Sequence, residues 1–187
     1  ALVAEELTQA EAAALAPRVQ SFIAGRYAAT LKQAGALLRE HELLLDAGDE
    51  PPRLWLRGTV DLAARFDDRV DVIDYKLART GDMQGYAFQL RAYGLALARQ
   101  WQLPVRAGIV FLGSGGEPQW LTGSDGSDTL TAADHEATER ELLLLARRFA
   151  EARQLDEFPG VTVHACHRLH CGFVAACHPD AKQVSVK

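Results

Sequence analysis

The stretch that decides the fold is residues 54–76, LWLRGTVDLAARFDDRVDVIDYK. Two runs rich in aliphatic and β-branched residues, 54–66 and 70–76, lie on either side of a short acidic segment, Asp67-Asp68. Strand-forming runs joined by a very short polar segment are typical of an antiparallel hairpin. The sequence therefore predicts two strands joined by a tight turn.

The register of this hairpin brings two carboxylates together. With a two-residue turn, Phe66 faces Arg69, and counting outward from this pair places Asp61 directly opposite Asp74. Direct antiparallel partners have Cβ atoms roughly 4.5–5.5 Å apart, and like charges at that distance destabilise a sheet. A hard divalent cation with oxygen ligands would remove the repulsion. We therefore expect a metal site between Asp61 and Asp74.

A lysine accompanies the two carboxylates. Side chains alternate along a strand, so Lys76 and Val72 share the face of Asp74. A lysine beside a bound cation is explained if the site also binds and orients a water molecule or a phosphate group. The alternative is a solvated strand face on which Lys76 only neutralises Asp61 and Asp74.

Periodicity, capping residues and turn residues predict the other elements. A capping box of Thr8 and Glu11 opens a short helix, and Pro17 is predicted to begin a second helix. The remaining predictions are a strand at 37–46, a loop with Asp49, Pro51 and Pro52, a helix at 86–102, strands at 105–112 and 119–121, a helix at 132–154 and irregular structure from Phe158 onward. This order of elements indicates an α/β (α+β) domain with a small mixed sheet flanked by helices.

Three motifs follow one another at short spacing: Gly58-Thr59-Val60-Asp61, Val72-Ile73-Asp74-Tyr75-Lys76 and Gln89-Leu90-Arg91-Ala92-Tyr93. Together with Arg39-Glu40 before them, they resemble the RecB-like branch of the PD-(D/E)xK nuclease superfamily. The similarity is greatest to the C-terminal nuclease domains of AddA-type (UvrD-like) helicase–nucleases. It implies a restriction-endonuclease-like core and a deoxyribonuclease that needs Mg²⁺ or Mn²⁺.

The resemblance also assigns roles to residues. Asp61, Asp74 and the backbone carbonyl of Tyr75 would bind the metal, and Lys76 would orient the attacking water or offset charge on the phosphate. Gln89 would help to position Lys76 or the substrate. Two further residues have open alternatives. Tyr93 contacts the substrate or only packs in the core, and Glu40 lies behind the metal ligands or forms a salt bridge between strands.

Two departures from the family pattern stand out. Many RecB-like nucleases carry a metal-binding histidine on an early helix, whereas the first histidine here is His41, on a predicted strand. Leu77 stands where the family usually has threonine after the lysine.

The three cysteines, Cys166, Cys171 and Cys177, cluster near the C-terminus. Iron–sulfur members of the superfamily end in Cys-x2-Cys-x5-Cys with a fourth cysteine far upstream. Only the x5 spacing is present here, and no upstream cysteine exists, so this chain alone does not supply a four-cysteine cluster. The interpretations left open are a zinc site completed by histidines and, preferred, a folded cap with reduced thiols.

Bulk composition limits the function classes. The net charge of −5 argues against a protein that binds nucleic acid through bulk positive charge. We therefore expect a helicase domain or subunit to contribute much of the affinity for DNA. No apolar run is long enough to span a membrane. The first residue is Ala1, so we expect a domain cut from a longer protein. An odd number of cysteines in one cluster fits reduced thiols or metal ligands better than a secreted disulfide framework, so we expect a cytoplasmic protein. We divide it into a nuclease domain at residues 1–157, with its core at about 37–154, and a Cys/His-containing cap at residues 158–187.

Three functions remain open from the sequence. The first is an active DNA nuclease of repair or recombination, either exonuclease or endonuclease. The second is a nuclease-like module that binds DNA or a helicase without cleaving. The third is a docking domain without DNA contact. Non-catalytic relatives usually lose a carboxylate or the lysine, and this chain keeps all three, which favours the enzyme.

Overall fold

A computed structural model of the chain describes residues 8–48, 53–78, 81, 83–113, 116–155, 162–168 and 174–178. The chain divides into two compact units, Ala1–Ala146 and Arg147–Lys187. The elements are α1 Gln9–Ala24, α2 Arg26–Leu31, β1 Ala36–Ala47, β2 Leu54–Arg65, β3 Val70–Lys76, α3 Gln84–Trp101, β4 Val105–Phe111, β5 Pro118–Trp120, α4 Ala132–Leu155, α5 Val163–Arg168 and α6 Val174–Cys177. Among the described residues, no helix is long and apolar enough to cross a bilayer.

The first unit is built on a five-stranded mixed sheet with the strand order β1-β2-β3-β4-β5. Strands β3 and β4 are parallel and are connected through α3, while the other neighbours are antiparallel. Two antiparallel strands can be joined by a tight turn, but two parallel strands need a crossover, and α3 provides it. The predicted α/β fold with a small mixed sheet is therefore confirmed.

Apolar side chains cover both faces of the sheet. The front layer, the one that contains α3, includes Val72 of β3 and Leu90 and Leu97 of α3. The back layer contains Tyr27 and Leu31 of α2 packed with Ile73 of β3. A strand that is buried on both faces is usually almost continuously apolar, so the three charged side chains of β3, those of Asp71, Asp74 and Lys76, each need an explanation.

The N-terminal helices differ from the prediction at one point. The capping box of Thr8 and Glu11 is present and begins α1, as predicted. Pro17, however, lies inside α1 and does not begin a second helix. The break falls at Gly25, whose backbone is extended, and α2 begins at the next residue. Glu117 caps α2, because its carboxylate accepts the backbone N–H of Arg26 at 2.9 Å.

The second unit contains two short helices. Irregular structure was predicted from Phe158 onward, whereas the described residues of that region form α5 and α6. The two helices contact each other. The predicted loop with Asp49, Pro51 and Pro52 lies outside the described residues.

Candidate active site

The hairpin of β2 and β3 has the predicted register. Leu62 pairs with Ile73 and Arg65 pairs with Val70. The turn at Asp67-Asp68 is closed by a hydrogen bond of 2.8 Å from the Phe66 N–H to the Arg69 carbonyl. The two-residue turn, from which the position of the carboxylates was deduced, is therefore correct.

Asp61 connects the two strands through its side chain. Regular pairing of β2 with β3 ends at Leu62 and Ile73, one position before Asp61 would meet Asp74. At this position the Asp61 carboxylate takes the place of a main-chain carbonyl as hydrogen-bond acceptor, because its Oδ2 accepts the N–H of Tyr75 at 2.8 Å. This hydrogen bond fixes the carboxylate at the β3 backbone, immediately after Asp74.

The side-chain alternation of β2 is interrupted at Asp61. Val60 and Ala63 both pack in the front layer, while Leu62 packs in the back layer. Strict alternation would place Val60 and Leu62 on one face. The strand therefore changes its orientation at Asp61, which brings this residue to the boundary between the two layers.

The neighbouring strand is distorted at the same level. Arg39 pairs with Leu62 and His41 pairs with Val60, and between them Glu40 has a φ of 47°. A non-glycine residue in this left-handed region costs about 1–3 kcal/mol, and such residues are frequent at functional sites. Glu40 is exposed and has no ion pair within the described parts of the chain, so the alternative of a salt bridge between strands is not supported.

Asp74 and Lys76 form a close ion pair on the front face. The Lys76 Nζ lies 2.6 Å from the Asp74 Oδ2, and the Asp74 side chain is only 7% exposed. Although this oxygen is buried and close to the ammonium group, it has no well-directed hydrogen bond within the described residues. Burial raises the pKa of Asp74, the Lys76 ammonium opposes the shift, and the charge of Asp61 adds to it. Asp74 therefore carries a charge that a further cation would stabilise.

An aromatic ring that sequence reasoning missed lies over Lys76. The Nζ is 5.0 Å from the ring centre of Tyr86, at the start of α3. Burial lowers the pKa of Lys76, but the carboxylates of Asp74 and Asp61, followed by Tyr86, outweigh it and raise the pKa overall. The ammonium group thus lies between the Asp74 carboxylate and the Tyr86 ring, within the field of the Asp61 charge. Finding this contact requires knowing how α3 crosses β3, which the local sequence does not show.

The third motif makes its contacts away from Lys76. The Gln89 amide donates a hydrogen bond of 3.0 Å to the Tyr93 hydroxyl, so the two residues share a helix face as expected. A Cβ at Gly58 would lie 2.9 Å from the Tyr93 ring, so the glycine leaves the space that this ring fills. The ring packs against the front layer, which agrees with the core alternative for Tyr93. Gln89 bonds to Tyr93 here and not to Lys76.

These residues fit a hard divalent cation. Asp61 and Asp74 supply carboxylate oxygens, and the backbone carbonyl of Tyr75 is adjacent in the chain. The charges of Asp61, Asp74 and Lys76 leave a net negative charge, and the Asp74 Oδ2, which has an ion pair but no well-directed hydrogen bond, can accept a cation. Mg²⁺ is commonly held by one or two carboxylates and keeps several waters. Three or more acidic, histidine or cysteine side chains do not gather at a metal-binding spacing anywhere in the described residues.

A comparison with known protein families identifies the family of this chain. A sequence model described as the PD-(D/E)XK nuclease superfamily matches residues 1–178. The chain belongs to this superfamily. Its nucleases generally use divalent metals such as Mg²⁺. No curated protein matches the sequence.

Two solved structures are similar to this superfamily member. One is named a "putative exonuclease" from Eubacterium rectale, with 9% identity and a TM-score of 0.56. The match covers 99% of this chain but 66%, just under two thirds, of that protein. The other, named SSO0001, has 13% identity and a TM-score of 0.46, with 91% of this chain and 80% of that one covered. The first likeness supports the fold alone.

A second charged cluster of this nuclease domain occupies the back face of β3. Asp71 is fully buried and accepts hydrogen bonds from Arg106 at 2.7 and 2.9 Å, from Arg69 at 3.2 Å and from the Tyr27 hydroxyl at 3.2 Å. Trp120 stacks on the Arg106 guanidinium, 4.2 Å away. Burial and the charge of Asp71 raise the pKa of Tyr27, which keeps its hydroxyl as a donor. The cluster is saturated with partners, so we assign it to the fold.

The cysteines of the second unit are only partly described. Cys166 is buried and Cys177 is exposed, and neither is in a disulfide. Cys171 lies outside the described residues. The choice between a zinc site and a cap with reduced thiols therefore stays a prediction.

Proposed function

We propose that this chain is a Mg²⁺- or Mn²⁺-dependent deoxyribonuclease that hydrolyses phosphodiester bonds. The observation that carries the proposal is the meeting of Asp61, Asp74 and Lys76 where β2 and β3 diverge. There the Asp61 carboxylate is hydrogen-bonded to the Tyr75 N–H, and the Lys76 ammonium lies 2.6 Å from Asp74. A half-buried lysine paired with a buried aspartate is more than the fold requires, because well-packed apolar residues in place of such a pair are often as stable or more stable.

Asp61, Asp74 and the Tyr75 carbonyl are the proposed metal ligands. The hydrogen bond from Tyr75 holds Asp61 in a fixed position, and packing in the front layer holds Asp74. Ligands fixed in this way bind without first being ordered, which lowers the entropic cost of binding. When bound, the divalent ion would polarise the phosphate and favour a deprotonated water.

Lys76 is the proposed catalytic cation. Its ammonium has three donors, and the contact with Asp74 together with the Tyr86 ring restricts where the others point. A donor held in place can bond to a phosphate oxygen or to the attacking water, and it offsets the negative charge that develops in the transition state. Gln89 remains a proposed catalytic residue, one that acts on the substrate beside the site.

Several finer assignments belong to the same proposal. The resemblance to AddA-type proteins supports a helicase domain or subunit as partner, a role in DNA repair or recombination and a cytoplasmic location. The name of the similar Eubacterium rectale protein supports exonuclease over endonuclease action. We also retain the division into a nuclease domain at residues 1–157 and a cap at residues 158–187.

The proposal is tested by cleavage assays on labelled single- and double-stranded DNA with Mg²⁺, Mn²⁺ or EDTA. We expect cleavage with either metal and none with EDTA. Asp61→Asn and Asp74→Asn should each remove cleavage while the protein remains folded. Cleavage that persists in EDTA, or in both asparagine variants, would contradict the proposal.

A further inference from the structure

An apolar groove opens beside the proposed catalytic site. Its volume is about 240 Å³, below the roughly 300–1,000 Å³ of sites for drug-sized ligands, so it suits a single flat ring. The floor is apolar and comes from β1 and α3, with Leu43, Leu45, Ala92 and Ala96. All four of these residues are buried and belong to the front layer, so the floor is rigid.

The rim of the groove carries aromatic rings and polar groups. Phe88 and Tyr93 of α3 provide the rings, and both are half-buried. Gln89 and the Tyr93 hydroxyl, to which the Gln89 amide donates a hydrogen bond, provide the polar groups. An apolar floor with flat rings and a few polar groups at the edge suits a nucleobase, which has a π-face and a polar perimeter.

The groove lies on the same surface as the proposed catalytic residues and close to them. Gly58, in its wall, precedes Asp61 on β2 by three positions, which corresponds to about 10 Å along a strand. On α3, Tyr86 over Lys76 and Gln89 and Tyr93 at the groove are neighbours on one helix face. The proposed catalytic lysine and the groove are therefore close enough, and on the same face, for a short single strand to reach both.

We propose that this groove binds one unpaired base of the DNA strand whose phosphate lies at Lys76. The inference rests on the proposed nuclease function and gives it a substrate class, a strand that is single at the site of cleavage. In a duplex the base would be stacked and paired and would not reach the floor. Phe88 supplies the stacking face, and Gln89 lies where a base edge would meet it.

The test is a scan of abasic positions in a short single-stranded oligonucleotide, with binding measured by fluorescence anisotropy. The protein carries Lys76→Ala and Mg²⁺ is present, so that binding is read without cleavage. We expect one position at which loss of the base weakens binding about tenfold, because a base–aromatic stack contributes about 1–3 kcal/mol. Phe88→Ala should weaken binding of the intact strand by a similar factor. In this variant an abasic site should have the same effect on affinity at every position.

Matched variants separate stacking on a flat ring from simple filling of the groove by apolar volume. Phe88→Trp keeps a flat face and should retain the position dependence, whereas Phe88→Leu keeps apolar volume and should lose it. Trp55 is 67% exposed and alternates to the other face of β2 from Leu56, so Trp55→Ala should leave the scan unchanged. A uniform scan with the parent protein, a Phe88→Leu protein that behaves like the parent, or no measurable binding of single strands would overturn the proposal. The Phe88→Leu result would indicate an apolar side chain of a protein partner as the occupant.

The two proposals fail in different ways. If the groove does not bind a base, the wild-type protein still cleaves DNA while the scan is uniform. If the chain is not a nuclease, cleavage is absent with either metal while the scan still shows one sensitive position.

Discussion

Replacing Lys76 by alanine separates a structural from a catalytic role for this lysine. The pair with Asp74 lies between the exposed and the buried extremes, since the lysine side chain is 29% and the aspartate 7% exposed. Exposed pairs contribute about 0.2–1 kcal/mol, and breaking a fully buried pair costs about 3–5 kcal/mol. We therefore expect Lys76→Ala to lower the free energy of unfolding of the metal-free protein by about 1–3 kcal/mol.

Metal should restore the fold of this variant but not its activity. A 1 kcal/mol loss lowers the Tm of a domain this size by roughly 2–4 °C, so the loss of Tm in the metal-free variant is on the order of 2–12 °C. Excess Mg²⁺ replaces the lost positive charge and should recover most of that shift, while cleavage remains about a hundredfold or more below wild type. Lys32→Ala, an exposed lysine outside the site, is the control and should change neither Tm nor cleavage.

The measurements are Tm by differential scanning fluorimetry and single-turnover cleavage, both across a series of Mg²⁺ concentrations. If Lys76 only neutralises Asp61 and Asp74, cleavage will follow the folded fraction and will recover fully at high Mg²⁺. That recovery would refute the catalytic role.

The other predictions concern Tyr86, Gly58 and Asp134. Tyr86→Leu should lower kcat several-fold with little change in KM, because it removes the aromatic face 5.0 Å from Lys76, and Tyr86→Phe should restore the rate; equal rates for the two variants would contradict this. Gly58→Ala should destabilise the fold by about 1–3 kcal/mol in urea unfolding, because the new methyl meets the Tyr93 ring at 2.9 Å, and a second change, Tyr93→Leu, should relieve part of that loss. Additive losses in the double variant would show that the contact is not the cause. Asp134 is in the first turn of α4, where its carboxylate accepts hydrogen bonds from the Thr131 N–H and hydroxyl; burial raises its pKa, but these bonds outweigh burial and lower the pKa below its ordinary value of 3.8. The stability that the Asp134 carboxylate adds is therefore present above about pH 4 and is lost as the pH falls through the lowered pKa. Asp134→Ala should lower Tm at pH 7, and the difference from wild type should narrow in acid; a difference that is independent of pH would exclude the charge as its source.

The part of the site that was predictable depends on short-range geometry. The turn at Asp67-Asp68 fixes the register of β2 on β3, and side-chain alternation then places Asp74 and Lys76 on one face. The confirmed register needed no knowledge of the rest of the chain. What the register could not show is that main-chain pairing stops before Asp61, so that its carboxylate takes the place of the missing main-chain partner.

The parts that sequence reasoning missed depend on contacts between distant elements. Tyr86 meets Lys76, and Tyr93 meets Gly58, only because α3 crosses the front of the sheet. The left-handed backbone of Glu40 lies between two strand pairs and follows no local propensity.

The misplaced helix start at Pro17 has a different cause. A proline inside a helix removes one hydrogen bond, and Pro17 and the residue four positions earlier, Ala13, are both exposed. Water can therefore solvate the freed carbonyl, and the helix continues to Gly25.

The charged side chains on the two faces of β3 make incorrect registers of this strand energetically unfavourable. Asp71 is matched to arginines on the back face, and Asp74 is matched to Lys76 on the front. A slip by one residue would exchange the two faces, which would bury Asp71 under α3, away from Arg106 of β4, and would move Asp74 and Lys76 together to the side of α2. The unpaired charge of Asp71 would cost several kcal/mol, so electrostatics as well as shape disfavours incorrect pairing of this strand during folding. A chain in which β3 has docked therefore already has Asp74 and Lys76 on the correct side, so the sheet and the proposed site form in the same step.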